Sequence, residues 1–321
     1  MVHQLFARVM GGERIGREEA LGLVDAPLDG LTLAADSLRR HFCGWDFDLC
    51  TIINAKSGRC SENCRFCAQS SHYPTTCLSY PLLDEDTMMA QAKGDHEAGV
   101  LRFSIVTAGR SLDDDEIARL AHCAHRIVEE IGIAVCVSAG LLTRAQYKVL
   151  KDAGVSRIHN NLEAAEAYFP QICTTHTYAD KVAAIKNAQA VGLAVCSGGI
   201  MGLGESWENR IDMALALRDL GIKSVPVNVL NAIPGTPLAE NPPLSEGEVK
   251  RIVAIYRFIL PDASIRMAGG RGLFADKGRA FFSSGANAAI SGDMLTTYGI
   301  NTATDLDMLR TMGYKAVKCH D

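Results

Sequence analysis

One pattern recurs along the chain and limits the folds open to it: a helical stretch ends at a glycine, and a short β-branched run follows directly. The clearest copies are EAGVLRFSIV (97–106), EIGIAVCVSA (130–139), DAGVSRIHNN (152–161), AVGLAVCSGG (190–199) and DLGIKSVPVNV (219–229). Each glycine suits the left-handed conformation that often follows a helix end. Each apolar run is too short for a helix and is typical of a parallel strand buried on both faces.

Further runs extend this series to eight predicted strands. CTIINA (50–55) is predicted as the first, and SIRMAGG (264–270) and ANAAIS (286–291) as the last two. The eight strands are expected near residues 48–55, 100–107, 133–138, 155–160, 193–198, 222–229, 263–268 and 286–291. Alternating β and α units in such a number predict an α/β fold, a (β/α)8 TIM-type barrel, with an open doubly wound sheet as the alternative. Residues 1–45 are predicted to form an N-terminal helical extension and residues 46–321 a single barrel domain.

The composition excludes several classes of protein. Of the 321 residues, 48% are hydrophobic and 21% are charged, which is ordinary for a globular chain. The net charge of −5 argues against nucleic-acid binding through phosphate attraction. The sequence has neither a long uncharged apolar window nor the apolar core of a signal peptide. We therefore expect a cytoplasmic protein without nucleic-acid or membrane partners, whose 11 cysteines are reduced and favour metal ligation.

The densest chemical signal is the loop Cys60-Ser-Glu-Asn-Cys64-Arg-Phe-Cys67, directly after the first predicted strand. A loop can bring several thiolates to one metal centre, which an extended strand cannot do. Structural zinc sites and conventional iron–sulfur clusters use four protein ligands, and only three lie close together here. A cubane cluster held by three cysteines would leave one iron free to bind another molecule. The alternative is a zinc site with a remote fourth ligand such as His72.

A second constellation follows from the strand pattern. Cys136 and Cys196 each stand four residues after a cap glycine, in the near repeats GIAVC and GLAVC of predicted strands 3 and 5. Interior side chains of such barrels form layers drawn from alternate strands, and strands 1 and 7 carry Cys50 and Arg266. One interior layer would then hold all four side chains. A buried arginine needs an anionic partner, such as a thiolate-ligated cluster. The alternative is a set of small core thiols.

The CxxxCxxC loop, with Phe66 before its last cysteine, is similar to the signature of the radical S-adenosylmethionine (SAM) superfamily. Within that superfamily the chain resembles the biotin synthases over nearly its whole length. The segments that carry the resemblance are CSENCRFCAQSSHY (60–73), NNLE (160–163), TTHTY (174–178), VCSGGIMGLGE (195–205), SVPVNVLNAIPGTPL (224–238), IRMAGGR (265–271) and SGAN (284–287). The resemblance implies a [4Fe–4S] cluster on Cys60, Cys64 and Cys67 that binds SAM. It also implies radical sulfur insertion that converts dethiobiotin to biotin.

The resemblance further implies an auxiliary iron–sulfur cluster deep in the barrel, which donates the sulfur and is held by three cysteines and an arginine. Cys136, Cys196 and Arg266 match that pattern, and the resemblance gives Arg266 a catalytic role in tuning the cluster. The remaining position holds Ser104, whereas Cys50 stands where the pattern has Ser. We therefore expect one ligand to have moved to the first strand. The auxiliary cluster would be [2Fe–2S] or a larger variant.

The resemblance also assigns residues to the two small molecules. It implies that Asn161, Glu163 and Ile200 bind SAM, and that Asn161, Asn228 and His159 contact dethiobiotin. A carboxylate that binds a ribose diol is physically reasonable, as in dinucleotide sites. A helix N-cap is the alternative for the Asn161/Glu163 pair. His159 departs from the family pattern, which has Asn at this position.

Among the other cysteines, Cys173 in QICTTHT is a candidate for a further ligand of the auxiliary cluster. Cys43, Cys77, Cys123 and Cys319 are assigned to packing or to the surface. The resemblance also implies a homodimer and an electron donor such as flavodoxin or ferredoxin. The alternative function is another radical SAM barrel enzyme, of the hydrogenase-cofactor maturase or mutase type, which needs no sulfur donor.

Overall fold

A computed structural model describes residues 1–319, so residues 320 and 321 of the predicted barrel domain lie outside the described residues. The helices are α1 (Val2–Met10), α2 (Arg17–Gly22), α3 (Leu28–Cys43), α4 (Glu85–Glu97), α5 (Asp114–Arg126), α6 (Arg144–Asp152), α7 (Tyr178–Gln189), α8 (Trp207–Asp219), α9 (Glu246–Ile259), α10 (Arg279–Phe282) and α11 (Thr302–Thr311). The strands are β1 (Asp46–Lys56), β2 (Arg102–Thr107), β3 (Ala134–Ser138), β4 (Arg157–His159), β5 (Ala194–Cys196), β6 (Gly199–Met201), β7 (Ser224–Val229), β8 (Ser264–Met267), β9 (Ala288–Ser291) and β10 (Lys315–Ala316).

The strands close into a barrel. Their order is β1-β2-β3-β4-β5-β7-β8-β9, every pair in it is parallel, and β9 pairs back with β1. The fifth predicted strand, 193–198, is divided in the structure into β5 and β6. Both pair with β7, and together they occupy the fifth strand position of the barrel. The predicted (β/α)8 barrel is confirmed. The doubly wound alternative is wrong, because an open sheet would leave β1 and β9 unpaired with each other.

The helix ends are where the glycine pattern predicts them. The five cap glycines Gly99, Gly132, Gly154, Gly192 and Gly221 have φ angles of 91°, 82°, 92°, 78° and 70°. A residue with a Cβ is strained in this conformation, so glycine leads the chain out of each helix and into the next strand. Four of the glycines follow the last helical residue within three positions, and α5 continues through a π-helical turn, Ile127–Ile131, to Gly132. Helix starts are encoded as well: Ser245 and Glu248 form a capping box before α9. These stop and start signals determine where each helix ends and the next strand of the barrel begins.

The N-terminal helices and β10 cover the outside of the barrel. α3 packs against α1 and α9, and it buries Leu31, Ala35 and Leu38. β10 adds to the N-terminal end of β1 through the pairs Asp46 with Lys315 and Phe47 with Ala316, which the sequence did not predict. The division into an extension and a barrel domain stays a prediction. No helix in residues 1–319 is long and apolar enough to cross a membrane.

Candidate active site

A cavity of about 390 Å³ lies in the barrel and reaches the loops that follow the strands. It is lined by every site residue predicted from the sequence except Cys173: Cys50, Cys60, Cys64, Cys67, Cys136, His159, Asn161, Glu163, Cys196, Ile200, Asn228 and Arg266. Loops at the carboxyl ends of barrel strands are where such folds carry their active sites. The fold therefore brings residues that are up to 216 positions apart in sequence, Cys50 and Arg266, to one cavity.

Cys60, Cys64 and Cys67, called the loop cysteines below, lie in the tight loop that follows β1. Backbone bonds fix the loop: Cys67 N–H donates to the Cys64 carbonyl at 3.0 Å, and Cys60 N–H donates to the Gln69 carbonyl at 2.9 Å. Burial raises the pKa of Cys67 to about 11, because a thiolate is disfavoured away from water. A positively charged metal centre would reverse this preference. The donor set of three thiols at one cavity therefore fits a metal cluster.

The structure corrects the expectation for Cys173. Its sulfur lies 3.7 Å from Cys64 Sγ and 3.3 Å from His176 Nδ1, so it stands with the loop cysteines and does not join the interior layer. The hydrogen bond from Cys64 lowers the pKa of Cys173, against the effect of burial, and His176 lowers it further. His72, the suggested remote ligand, instead has its Nε2 3.0 Å from the Ser61 carbonyl. The histidine beside the thiols is His176.

Cys50, Cys136, Cys196 and Arg266, called the interior layer below, come together inside the barrel as the strand periodicity predicts. All four are 5% exposed or less. Arg266 Nη1 donates to Cys50 Sγ at 3.2 Å, and Ser224 Oγ donates to Cys196 Sγ at 3.2 Å. Burial raises the pKa of Cys50, and it raises that of Cys136 to about 12, with the charge of Cys196 adding to the effect. The layer is a buried group of thiols in direct contact with the Arg266 guanidinium, and the charges of Arg102 and Arg157 also act on it.

Cys196 differs from the other two interior thiols. Burial opposes its ionisation, but the hydrogen bond and charge of His159, together with the charges of Arg266 and Arg157, lower its pKa to about 6. His159 and Cys196 are register partners on β4 and β5. His159 was predicted from the resemblance to contact dethiobiotin. It lines the cavity, and its hydrogen bond goes to the Cys196 thiol.

Asp48 is a site residue that the sequence reasoning missed. It is 1% exposed, its Oδ1 lies 2.9 Å from Arg266 Nη2, and its Oδ2 lies 3.4 Å from Arg157 Nη1. The pKa of Asp48 is held well below its usual range: burial alone would raise it, but the charges of Arg266, Arg157 and Arg102 outweigh burial. The signal was available, since Asp48 is two positions before Cys50 on β1 and side chains two apart share one strand face. Arg266 therefore already has an anionic partner in the protein.

Asn161 and Glu163 form a hydrogen-bonded pair after β4. Asn161 Oδ1 accepts from Gly198 N–H at 3.0 Å, and Asn161 Nδ2 donates to Glu163 Oε2 at 3.3 Å. The N-cap alternative is wrong, because the short 3-10 helix that follows, Phe169–Gln171, is capped by Tyr168, and the next α-helix, which begins at Tyr178, is capped by Thr177. Glu163 has a φ of 69°, a left-handed conformation that strains a residue with a Cβ. Its backbone is held there by bonds to Gly198 and from Ile200.

Asn228 and Gly198 show how closely the strands approach here. Asn228 Oδ1 accepts from Gly269 N–H at 2.9 Å, and Asn228 Nδ2 donates to the Gly199 carbonyl at 3.2 Å. Both ends of this amide therefore have hydrogen-bond partners in the backbone, without a ligand. One N–H of the Asn228 amide is left for the cavity. A Cβ on Gly198 would lie 1.9 Å from the Pro226 carbonyl, so only glycine fits between the strands.

Lys181 is a second residue that the sequence reasoning missed, and unlike Asp48 no sequence pattern marked it. It lines the cavity beside Asn160, and its Nζ donates to Asn160 Oδ1 at 3.2 Å. Lys181 is a cation on the cavity wall near the loop cysteines, and its charge favours a lower pKa of Cys64. Ile200, in contrast, was predicted and offers an apolar side chain to the same cavity.

Comparisons with known proteins agree with this geometry. The family model of the radical SAM superfamily matches residues 55–237, and that of the biotin and thiamin synthesis associated domain matches residues 226–315. Biotin synthase 2 of Corynebacterium diphtheriae is 55% identical, over 99% of this chain and 97% of that protein. A biotin synthase of Brachyspira hyodysenteriae is 54% identical, over 97% of this chain and 94% of its own length.

Solved structures share the fold at much lower identity. A methylornithine synthase superposes with a TM-score of 0.83 at 19% identity and covers 98% of this chain and 97% of its own. A maturase of the FeFe-hydrogenase has a TM-score of 0.84 at 17% identity, with 99% of this chain and 76% of its own covered. These two show the barrel alone. The relatives at 54–55% identity and the radical SAM match, which implies a [4Fe–4S] cluster and SAM, decide the family. The chain belongs to the biotin synthase family of the radical SAM superfamily.

Proposed function

We propose that this chain converts dethiobiotin to biotin by inserting sulfur within the barrel cavity. The observation that carries the proposal is that one cavity is lined by two separate thiol groups, the loop cysteines and the interior layer. When bound, SAM on a [4Fe–4S] cluster supplies the radical that abstracts hydrogen, and an auxiliary iron–sulfur cluster supplies the sulfur. The loop cysteines would hold the first cluster, and the interior layer would hold the second.

The residues between the two thiol groups would orient both molecules. Asn161 aligns the Glu163 carboxylate through its amide N–H, so Glu163 would accept hydrogen bonds from the ribose hydroxyls of SAM. Ile200 gives the adenine an apolar surface. Asn228 keeps one amide N–H for the ureido carbonyl of dethiobiotin, and its two backbone bonds fix its direction. Buried walls keep water away from the reacting carbon.

The interior layer fits a cluster held by three cysteines and an arginine. Cys50 supplies the third thiol from β1, where its sulfur already contacts Arg266 at 3.2 Å. The hydrogen bond and charge of His159 and the charges of Arg266 and Arg157 lower the pKa of Cys196 and so favour its thiolate, the form that binds iron. Ser104 lies beside Cys136 in register and cannot supply a thiolate. We propose that Cys50 replaces a ligand on β2, in a cluster that is [2Fe–2S] or larger.

The mutase and maturase alternative is less well supported. Those activities need no sulfur donor, so they give no reason for a buried group of three thiols and an arginine in the barrel. A cytoplasmic location, a flavodoxin or ferredoxin as electron donor, and a homodimer complete the proposal.

The proposal is tested by anaerobic purification with iron and sulfide counts, followed by incubation with SAM, a reductant and dethiobiotin. We expect iron and acid-labile sulfide beyond one [4Fe–4S] cluster, together with 5′-deoxyadenosine and biotin. Formation of 5′-deoxyadenosine without biotin would refute the substrate and keep the radical chemistry. Zinc without iron or sulfide would refute both.

A further inference from the structure

Two cysteines from separate loops are in contact beside the cavity. Cys64 belongs to the loop after β1, and Cys173 lies in the segment between β4 and α7. Their Sγ atoms are 3.7 Å apart. Cys173 has no role in the sulfur insertion proposed above, so its position against a loop cysteine needs another explanation.

A backbone hydrogen bond holds the two cysteines side by side. Arg65 N–H, in the peptide unit that follows Cys64, donates at 2.9 Å to the Ile172 carbonyl, in the peptide unit that precedes Cys173. In paired strands, bonds of this kind bring facing Cα atoms to about 4.5–5.5 Å. A disulfide requires Cα atoms about 4.4–6.8 Å apart. The two loops therefore already approach each other as a cross-link between them would need.

Asn63 fixes the same arrangement from the other side. Its Oδ1 accepts from the N–H groups of Thr174 and Thr175 at 2.9 and 3.2 Å, and its Nδ2 donates to Thr174 Oγ1 at 2.7 Å. Asn63 directly precedes Cys64, and Thr174 directly follows Cys173, so bonds between the loops flank the two thiols on both sides. Bringing the sulfur atoms to the bond length of about 2 Å then needs side-chain rotation and little movement of the loops.

The two thiols differ in their access to solvent. Cys64 is partly exposed and lines the cavity, whereas Cys173 is 4% exposed. A small oxidant in the cavity therefore meets Cys64 first, and Cys173 stands behind it. An accessible thiol with a second, resolving thiol next to it is the usual arrangement of redox-sensitive cysteines.

We propose that Cys64 and Cys173 are a redox-sensitive pair, which forms a reversible disulfide when the loop cysteines hold no metal cluster. The oxidant is hydrogen peroxide, which converts the Cys64 thiol to a sulfenic acid and releases one water. The Cys173 sulfur then attacks the Cys64 sulfur: the S–S bond forms, the S–OH bond breaks, and the hydroxyl leaves as a second water with the Cys173 proton. Two thiols lose two electrons, and one peroxide is reduced to two waters.

The disulfide keeps Cys64 on the reversible side of oxidation. Sulfinic and sulfonic acids are not returned to thiols by thiol reductants, whereas a disulfide is. While the disulfide lasts, Cys64 is withheld from the proposed [4Fe–4S] cluster, and reduction makes it available again. This effect on the cluster rests on the proposed function, whereas disulfide formation does not.

The disulfide is tested on the full-length chain, freed of iron by a chelator and reduced. The unsubstituted chain is compared with Cys173→Ser and Cys173→Ala, and with the control Cys77→Ala, which removes another cysteine of the loop after β1. Each protein is treated anaerobically with hydrogen peroxide, its free thiols are blocked, and it is digested with trypsin. Trypsin releases residues 60–65 and 158–181 as separate peptides, which a disulfide joins. Fragmentation in the mass spectrometer distinguishes Cys64 from Cys60, and circular dichroism checks that each variant folds.

We expect the joined peptides, linked through Cys64 and Cys173, as the main disulfide in the unsubstituted chain and in Cys77→Ala. Dithiothreitol should separate them. In the folded Cys173 variants, Cys64 should instead proceed to sulfinic and sulfonic acids. Disulfides confined to the loop cysteines would overturn the pair, and so would equal over-oxidation of Cys64 in the unsubstituted chain and the Cys173 variants.

The effect on the cluster is measured as SAM bound per chain after peroxide, dithiothreitol, and then iron and sulfide. The unsubstituted chain and Cys77→Ala should recover the SAM binding of the untreated proteins, and the Cys173 variants should lose it. Equal recovery in all these proteins would overturn the protective role. Absence of SAM binding in every untreated protein would refute the proposed function, and the peptide map would still decide the disulfide.

Discussion

Asp48 Oδ1 lies 2.9 Å from Arg266 Nη2, and both side chains are 2% exposed or less. Arg266 Nη1 also donates to the backbone carbonyls of Asp48 and Ala289 at 3.0 and 2.9 Å. These contacts leave the same nitrogen 3.2 Å from Cys50 Sγ. Asp48 is therefore a positioning residue: its carboxylate and its backbone carbonyl hold the guanidinium against the thiol group, and the carboxylate opposes the positive charge of Arg266.

Replacing Asp48 by Asn should destabilise the protein strongly. The change leaves the buried Arg266 without its ionic partner, and breaking a buried pair in this way costs about 3–5 kcal/mol. Asp152→Asn is the matched control, because its pair with Lys148 is about 60% exposed, and exposed pairs contribute about 1 kcal/mol or less. Urea unfolding measures both. Equal losses in the two variants would contradict a structural role for the buried pair.

The same carboxylate predicts a pH dependence of stability. The pKa of Asp48 in the folded chain is below its usual value of 3.8, so the unfolded chain binds the proton more tightly. The contribution of Asp48 is fully present above that usual value and is lost as the pH falls through the folded pKa. Urea unfolding at decreasing pH should show a steeper fall in the free energy of unfolding below about pH 4 for the unsubstituted chain than for Asp48→Asn. Parallel curves would contradict this assignment.

Cys50→Ala should remove the auxiliary iron and keep the first cluster. The layer would then have two thiols and Arg266, one ligand short of a stable centre. Ser104→Cys in the same chain should restore part of the iron, because Ser104 lies beside Cys136 in register. Iron and sulfide per chain after anaerobic reconstitution give the result, with Cys123→Ala, a buried thiol of α5, as the control. Unchanged iron in both Cys50→Ala and Cys136→Ala would refute the interior layer as a cluster site.

Glu163→Gln should weaken SAM binding without preventing cluster assembly. A hydrogen bond to a charged group contributes about 1.5–3 kcal/mol, so the dissociation constant should rise by about 10–150-fold. Glu166→Gln, on the exposed side of the same segment, should bind SAM as the unsubstituted chain does. Equilibrium dialysis of the anaerobic holoprotein measures the change. If both variants bind equally well, Glu163 does not contact SAM.

The sequence was informative wherever a local rule determines the structure. Helix-ending glycines and short apolar runs predicted the strand count, which the closed barrel confirms. Strand alternation predicted one layer of Cys50, Cys136, Cys196 and Arg266, and all four line one cavity. Both follow from short-range geometry: the left-handed cap and the two-residue repeat of a strand.

Contacts between distant loops could not be obtained in this way. Cys173 meets Cys64 across 109 positions, and His176 meets Glu62 across 114, because the loops after β1 and β4 bend toward each other. No periodicity relates irregular loops, so their contacts depend on the closed fold. Asp48, unlike these loop residues, could have been predicted, because alternation along β1 puts it on the same strand face as Cys50 of the interior layer.

The origin of the inserted sulfur tests the central claim most directly. The chain is reconstituted anaerobically with iron and isotopically labelled sulfide, freed of excess sulfide, and given SAM, a reductant and dethiobiotin for a single turnover. Mass spectrometry of the biotin then reports the sulfur source. We predict labelled biotin, with a yield that falls in Cys50→Ala and Cys136→Ala chains that still produce 5′-deoxyadenosine. Unlabelled biotin, or labelled biotin in undiminished yield from both variants, would contradict an interior layer that holds the sulfur donor.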